Sequence, residues 1–107
     1  MFLINGEWRK IMNSKDYYKN GQIIKTIEHD VLTYYFIDGT IKAQGSYINE
    51  MMEGKWVFYK KEGSLWQIAH FLHNQKHGEW TRYHSDGSIE YHEFFDQGKI
   101  HKQKKNN

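Results

Sequence analysis

The sequence predicts an all-β domain: an antiparallel meander of repeated β-hairpins forming one elongated twisted sheet, with little or no helix. Three observations carry this reading. The chain resembles itself at a period of 24 residues, glycine-centred turn signals recur inside each period, and the residues flanking those turns are β-formers.

The repeat is clearest in the C-terminal half. Residues 54–77 read GKWVFYKKEGSLWQIAHFLHNQKH and residues 78–101 read GEWTRYHSDGSIEYHEFFDQGKIH. Without a gap they share Gly54/Gly78, Trp56/Trp80, Tyr59/Tyr83, Gly63/Gly87, Ser64/Ser88, Phe71/Phe95 and His77/His101. Residue frequencies alone would give roughly one or two such identities. One period upstream, Tyr35, Asp38, Gly39, Ile41 and Tyr47 fall in phase, with Leu32 in the place of Trp. At the N-terminus Gly6-Glu7-Trp8 is in phase, but Tyr17, Asn20-Gly21 and Ile23 arrive six residues late. The expected organisation is a single domain over 1–101, with a degenerate unit at 6–29 and further units at 30–53, 54–77 and 78–101. Residues 102–107 are expected to form a basic flexible tail, and Lys102 stands where another Gly would open a new unit.

Each unit should turn twice. Tyr, two spacers, Asn or an acidic residue, then Gly marks the first turn, at Gly21, Gly39, Gly63 and Gly87. Gly supplies a positive φ without steric cost, and Asn or Asp bonds its own backbone locally. If Ser85-Asp86-Gly87 is a three-residue loop, Tyr83 faces Ile89 across the hairpin. The second turn follows Phe71 and Phe95, with Asn74 and Gly98 in the left-handed position. Strict alternation carried through the hairpins then defines two faces. One holds Val57, Tyr59, Leu65, Ala69 and Phe71, with copies Tyr83, Ile89, Tyr91 and Phe95, and reads as the packed face. The other holds Trp56, Phe58, Trp66, Trp80, Arg82 and Phe94.

Composition bounds the function. The chain has 107 residues, 17% aromatic, with no Pro and no Cys. Disulfides and thiolate metal sites are excluded, and so many aromatics argue against disorder. The opening residues carry no signal-peptide pattern and no stretch has membrane-spanning length, so the expected location is cytoplasmic. The net charge of +2 disfavours a dedicated nucleic-acid binder.

These residues resemble the bacterial variant of the MORN (membrane occupation and recognition nexus) repeat. Its pattern is approximately Gly-x-Trp-x-x-Tyr-x-x-Asn/Asp-Gly-x-Leu, an aromatic, Asn-Gly, two residues and the next Gly. Gly54–Phe71 and Gly78–Gly98 match it well, although Asn74 and Glu50 replace the usual second Gly. The resemblance implies a single layer of hairpins and an interaction role. Bacterial relatives are often labelled antitoxin-like, and eukaryotic ones are linked to membrane surfaces.

No catalytic residues are expected: the sequence has no nucleophile elbow, no phosphate loop and no cysteine nucleophile. The histidines His70, His73, His77, His84, His92 and His101 lack metal-ligand spacing, so neither metal nor cofactor is expected. The candidate partner-binding residues are Trp56, Phe58, Trp66, Trp80, Arg82 and Phe94, because Trp and Arg anchor interfaces. The expected partner is a protein, of which a toxin is one form, and homodimerisation by sheet-edge pairing is a variant. A membrane surface or polyanion, met by Lys60, Lys61, Arg82 and the C-terminal lysines, ranks below it, as does a vestigial domain without independent function.

Overall fold

The computed structural model describes residues 16–100 and the backbone of a separate two-stranded hairpin, β1 (Phe2–Ile4) with β2 (Glu7–Arg9). The opening Gly6 of the first expected unit, His101 and the basic tail at 102–107 lie outside the described residues. The other strands are β3 (Lys25–Glu28), β4 (Val31–Tyr35), β5 (Ile41–Ile48), β6 (Met51–Tyr59), β7 (Leu65–Leu72), β8 (Gln75–Lys76), β9 (Gly78–Tyr83), β10 (Ile89–Asp96) and β11 (Lys99–Ile100). They form one open antiparallel sheet in the order β11-β10-β9-β7-β6-β5-β4-β3, with β8 paired to β7. Among the described residues there is no α-helix.

Two kinds of turn alternate along the chain. The first is the glycine turn. Gly21, Gly39, Gly63 and Gly87 have φ between 88° and 99°, and each N–H donates to the carbonyl three residues back. Tyr83 is opposite Ile89, Tyr59 opposite Leu65 and Tyr35 opposite Ile41. Tyr17 bridges Ile23 in the same way, so the degenerate first unit has the same reversal on a shifted spacing. Side chains tie these turns down: Asp38 Oδ1 accepts from the Thr40 hydroxyl at 2.6 Å, and Asp86 Oδ1 from the Ser88 hydroxyl at 2.6 Å. Those hydroxyls, and the N–H groups of Thr40 and Ser88, hold both carboxyls below the usual carboxylate range.

The second turn is a two-residue reversal with both central residues at positive φ: His29-Asp30, Asn49-Glu50, His73-Asn74 and Gln97-Gly98. This geometry matches the twist of the flanking strands. Three of the four lack glycine and so carry backbone cost, of about 1–2 kcal/mol per left-handed residue. Glu50, at φ 64°, has the least suited side chain of the set. Glu50→Gly should therefore stabilise the fold by roughly 0.5–1 kcal/mol, read as a higher urea midpoint at unchanged slope.

One extra residue in each of the hairpins β4–β5, β6–β7 and β9–β10 decides the faces. Phe58 pairs with Gln67 and Tyr59 with Leu65, so Trp66 is an extra residue in β7. Lys42 in β5 and Glu90 in β10 are extra in the same way. These bulges recur every 24 residues and reverse the alternation of the strand beyond them. The expected partition is corrected accordingly. Trp56 pairs with Ala69, Gly54 with Phe71 and Gly78 with Phe95. The tryptophans therefore share a face with Ala69, Phe71 and Phe95 instead of opposing them.

That shared face is the packed one. Its core is Leu32, Ala43, Trp56, Ala69, Trp80 and Phe95, flanked by Tyr34, Tyr47, Met52, Phe58 and Phe71. Trp56 is fully buried. At ~25 cal/mol per Å2 over roughly 200 Å2, that burial contributes about 5 kcal/mol. The Gly-x-Trp signature has a mechanical reason. Gly54 (φ 65°) and Gly78 (φ 96°) kink the chain just before each tryptophan. The buried indole N–H of Trp56 then donates to the Ser46 carbonyl at 3.0 Å, and that of Trp80 to the His70 carbonyl at 2.8 Å. Edge-to-face contacts run through the layer from Trp56 to Phe71, Trp80 and Phe95, at 6.2, 5.2 and 5.5 Å between successive ring centroids.

Candidate partner-binding site

The bulge that places the tryptophans in the core also assembles the most distinctive partly exposed cluster. As the extra residue of β7, Trp66 lands beside Phe58 of β6, rings edge-on at 6.5 Å between centroids. Arg82 of β9 pairs with Gln67 on one side and Tyr91 on the other. Its guanidinium carbon lies 5.0 Å from the centre of the Trp66 ring and 5.4 Å from that of Tyr91. Both distances lie within the range in which a cation is attracted to a ring face. The Nε and Nη2 groups of Arg82 both donate to Gln67 Oε1, at 3.1 and 3.0 Å. Gln67 is itself buried, 5% exposed, so the fork is held from below. Phe58, Trp66, Arg82 and Tyr91 remain half-buried.

Of the six residues expected to bind a partner, five lie on this one face and Phe94 does not. Trp56 and Trp80 are buried in the core, at 0% and 7% exposure. Sequence reasoning held them available because it put the packed layer on the other side, and the bulges reverse that. Their role is to support the cluster: Trp56 lies against Phe58 at 6.2 Å. Phe94 lies on the opposite face, 37% exposed, with its ring 5.0 Å from His92 of the same strand. Gln67 and Tyr91 were not among the expected site residues. A polar residue inside the apolar run Leu65–Leu72 was the available signal for Gln67. Nothing in the sequence marks Tyr91 as a neighbour of Arg82 once the bulge at Glu90 is overlooked.

The opposite face carries a shallow depression lined by Lys55, Ile68, His70, Glu79, Thr81 and Tyr83. Two of its polar residues, His70 and Glu79, are engaged. His70 Nδ1 lies 2.8 Å from the Glu79 carbonyl, and the Glu79 carboxylate 2.8 Å from His92 Nε2. His73 meets Glu53 at 2.6 Å beside its turn. Among the described residues no three His, Asp or Glu side chains converge as metal ligands would.

The basic residues are dispersed. Lys60 Nζ bonds Ser85 Oγ at 3.0 Å. Lys76 Nζ stands over both the Trp80 and Phe95 rings, at 4.6 and 4.9 Å. The glycine-turn tips beside Lys60 and Lys61 carry the acids Asp38, Glu62 and Asp86, and hydroxyl groups of Thr40, Ser64 and Ser88 hold all three carboxyls below their ordinary range. The turn edge thus presents mixed charge.

A single open sheet of 24-residue hairpin units, with tryptophans pinned at glycine kinks, defines a β-repeat protein. The chain matches the family described as MORN repeat variant over residues 12–30, 52–73 and 76–97, more than half of its length, and it belongs to that family. Residues 31–51, between two of the matched stretches, have the same glycine turn, bulge and two-residue reversal. No curated protein and no solved structure matches the chain.

Proposed function

We propose that this chain is a non-catalytic protein-binding module that docks its partner on the half-buried surface formed by Phe58, Trp66, Arg82 and Tyr91. The observation that carries the proposal is the pinned arginine between two aromatic rings. Trp, Tyr and Arg are the residues that dominate interface energetics. Here they stand on a rigid sheet, so little side-chain freedom is lost on binding. Membership of a repeat family supports the reading, because such arrays present extended surfaces to partners. An antitoxin- or immunity-like role in a bacterial cytoplasm is the specific form we favour, and it rests on the sequence resemblance.

A surface for anionic lipid or polyanion fits less well. Lys60 and Lys76 are engaged within the protein, and the turn edge interleaves acids with lysines. The test is titration calorimetry against the product of the neighbouring gene. The Phe58→Ala/Trp66→Ala variant should bind at least about tenfold more weakly, a loss of about 1.4 kcal/mol, while still unfolding cooperatively. Undiminished binding by a folded double variant would place the interface elsewhere.

A further inference from the structure

We infer that Arg82 is a receptor for a carboxylate, and that the partner presents an Asp or Glu side chain to it between apolar neighbours that rest on Phe58 and Trp66. This deepens the protein-binding reading above and rests on it. A guanidinium carries five N–H donors in a fixed planar fork. Two of them, on Nε and Nη2, converge on the one oxygen Gln67 Oε1. That leaves three, and none of the ion pairs among the described residues includes Arg82. Glu90 and Glu93 stand on the adjacent strand β10, yet neither forms an ion pair with it. The arginine is thus oriented without being neutralised.

Its surroundings select the ligand. Trp66 and Tyr91 lie against the guanidinium and Phe58 flanks Trp66, so the fork is set in an aromatic shelf. A half-buried cation of this kind gains most from a planar acceptor that takes two parallel N–H bonds, which is the geometry of a carboxylate. Apolar residues beside that carboxylate would cover the exposed ring edges and strengthen the pair by excluding water. A lipid headgroup layer or a nucleic-acid backbone would require several cations at one surface. Among the described residues the structure offers one guanidinium fork outside any ion pair, and the glycine turns carry the acids Asp38, Glu62 and Asp86.

The experiment is to pan a displayed random-peptide library on the immobilised full chain, then measure the selected peptides as synthetic, end-blocked molecules. Selected sequences should share an Asp or Glu next to an apolar residue. Replacing that acid by Asn or Gln in the peptide should weaken binding at least about tenfold. Arg82→Lys in the protein, which keeps the charge but removes the fork, should weaken it comparably at a similar melting temperature. The peptide substitution leaves the protein untouched, so the result does not depend on the variant folding. Selected peptides without an acid, or binding indifferent to Arg82→Lys, overturn the carboxylate assignment. If such peptides still require Trp66, the protein-binding reading stands. If they are indifferent to Trp66→Ala as well, or if nothing is selected over an uncoated surface, both fall. Arg82-dependent binding to vesicles of phosphatidylserine in phosphatidylcholine, without any acidic-peptide preference, would also overturn the assignment.

Discussion

Trp56→Ala is expected to cost about 3–5 kcal/mol, the usual range for removing a buried large aromatic. The basis is local and complete. Trp56 has no exposed surface, its indole N–H has found an acceptor in the Ser46 carbonyl, and its ring contacts Phe58 and Phe71. A one-layer sheet has no second layer to collapse into the gap. Since small domains are stable by only about 5–15 kcal/mol, the variant should lose a large share of its stability and unfold at a markedly lower urea concentration. Urea unfolding followed by far-ultraviolet dichroism measures this. Trp56→Phe separates the contributions, since it keeps most of the packing and loses the hydrogen bond, and its cost should be smaller. An Ala variant within about 1 kcal/mol of the parent would mean that this tryptophan is not the centre of the core.

Gly45→Ala should be nearly as damaging, for a reason that excludes backbone strain. Gly45 does not have a positive φ, so alanine is conformationally acceptable there. A Cβ at this position would nonetheless stand 2.3 Å from ring atoms of Trp56. The ring is buried and cannot swing aside without breaking its bond to Ser46. Overpacking of this kind costs typically 1–3 kcal/mol, and the absence of any escape route puts the expected value at about 3 kcal/mol. The mechanism predicts strong coupling. In a Trp56→Leu background the same Gly45→Ala change should cost less than about 1 kcal/mol, because the obstructing ring is gone. Additive costs in the double-mutant cycle would show that the clash is not the cause.

Much of this fold was legible in the residues, and the illegible part has a single origin. Asp-Gly and Asn-Gly sites mark reversals by local chemistry, so the turns at Gly21, Gly39, Gly63 and Gly87 and the pairing of Tyr83 with Ile89 could be derived without tertiary information. The bulges could not. Lys42, Trp66 and Glu90 are chemically unrelated, so the repeat gives no sign that these positions share a role. Each is set by ladder geometry next to the glycine turn, and overlooking one residue interchanges the faces of everything beyond it. Hence the tryptophans were expected opposite Phe71, whereas they pack with it, and the cluster around Arg82 was only partly foreseen. Asn74 and Gly98 take the left-handed backbone read for them, but the reversal at His29-Asp30 escaped for a related reason. Non-glycine residues hold a left-handed backbone there because the flanking ladders impose it.

The recurrence of those extra residues also bears on how such a chain can change length. Every copy of the motif undoes and restores the same phase, so the polypeptide leaves each copy oriented as it entered. Whole copies can then be gained or lost while the remainder keeps its inside and outside. Losing one residue such as Trp66 would instead turn the following strands inside out, exposing what had been sheltered.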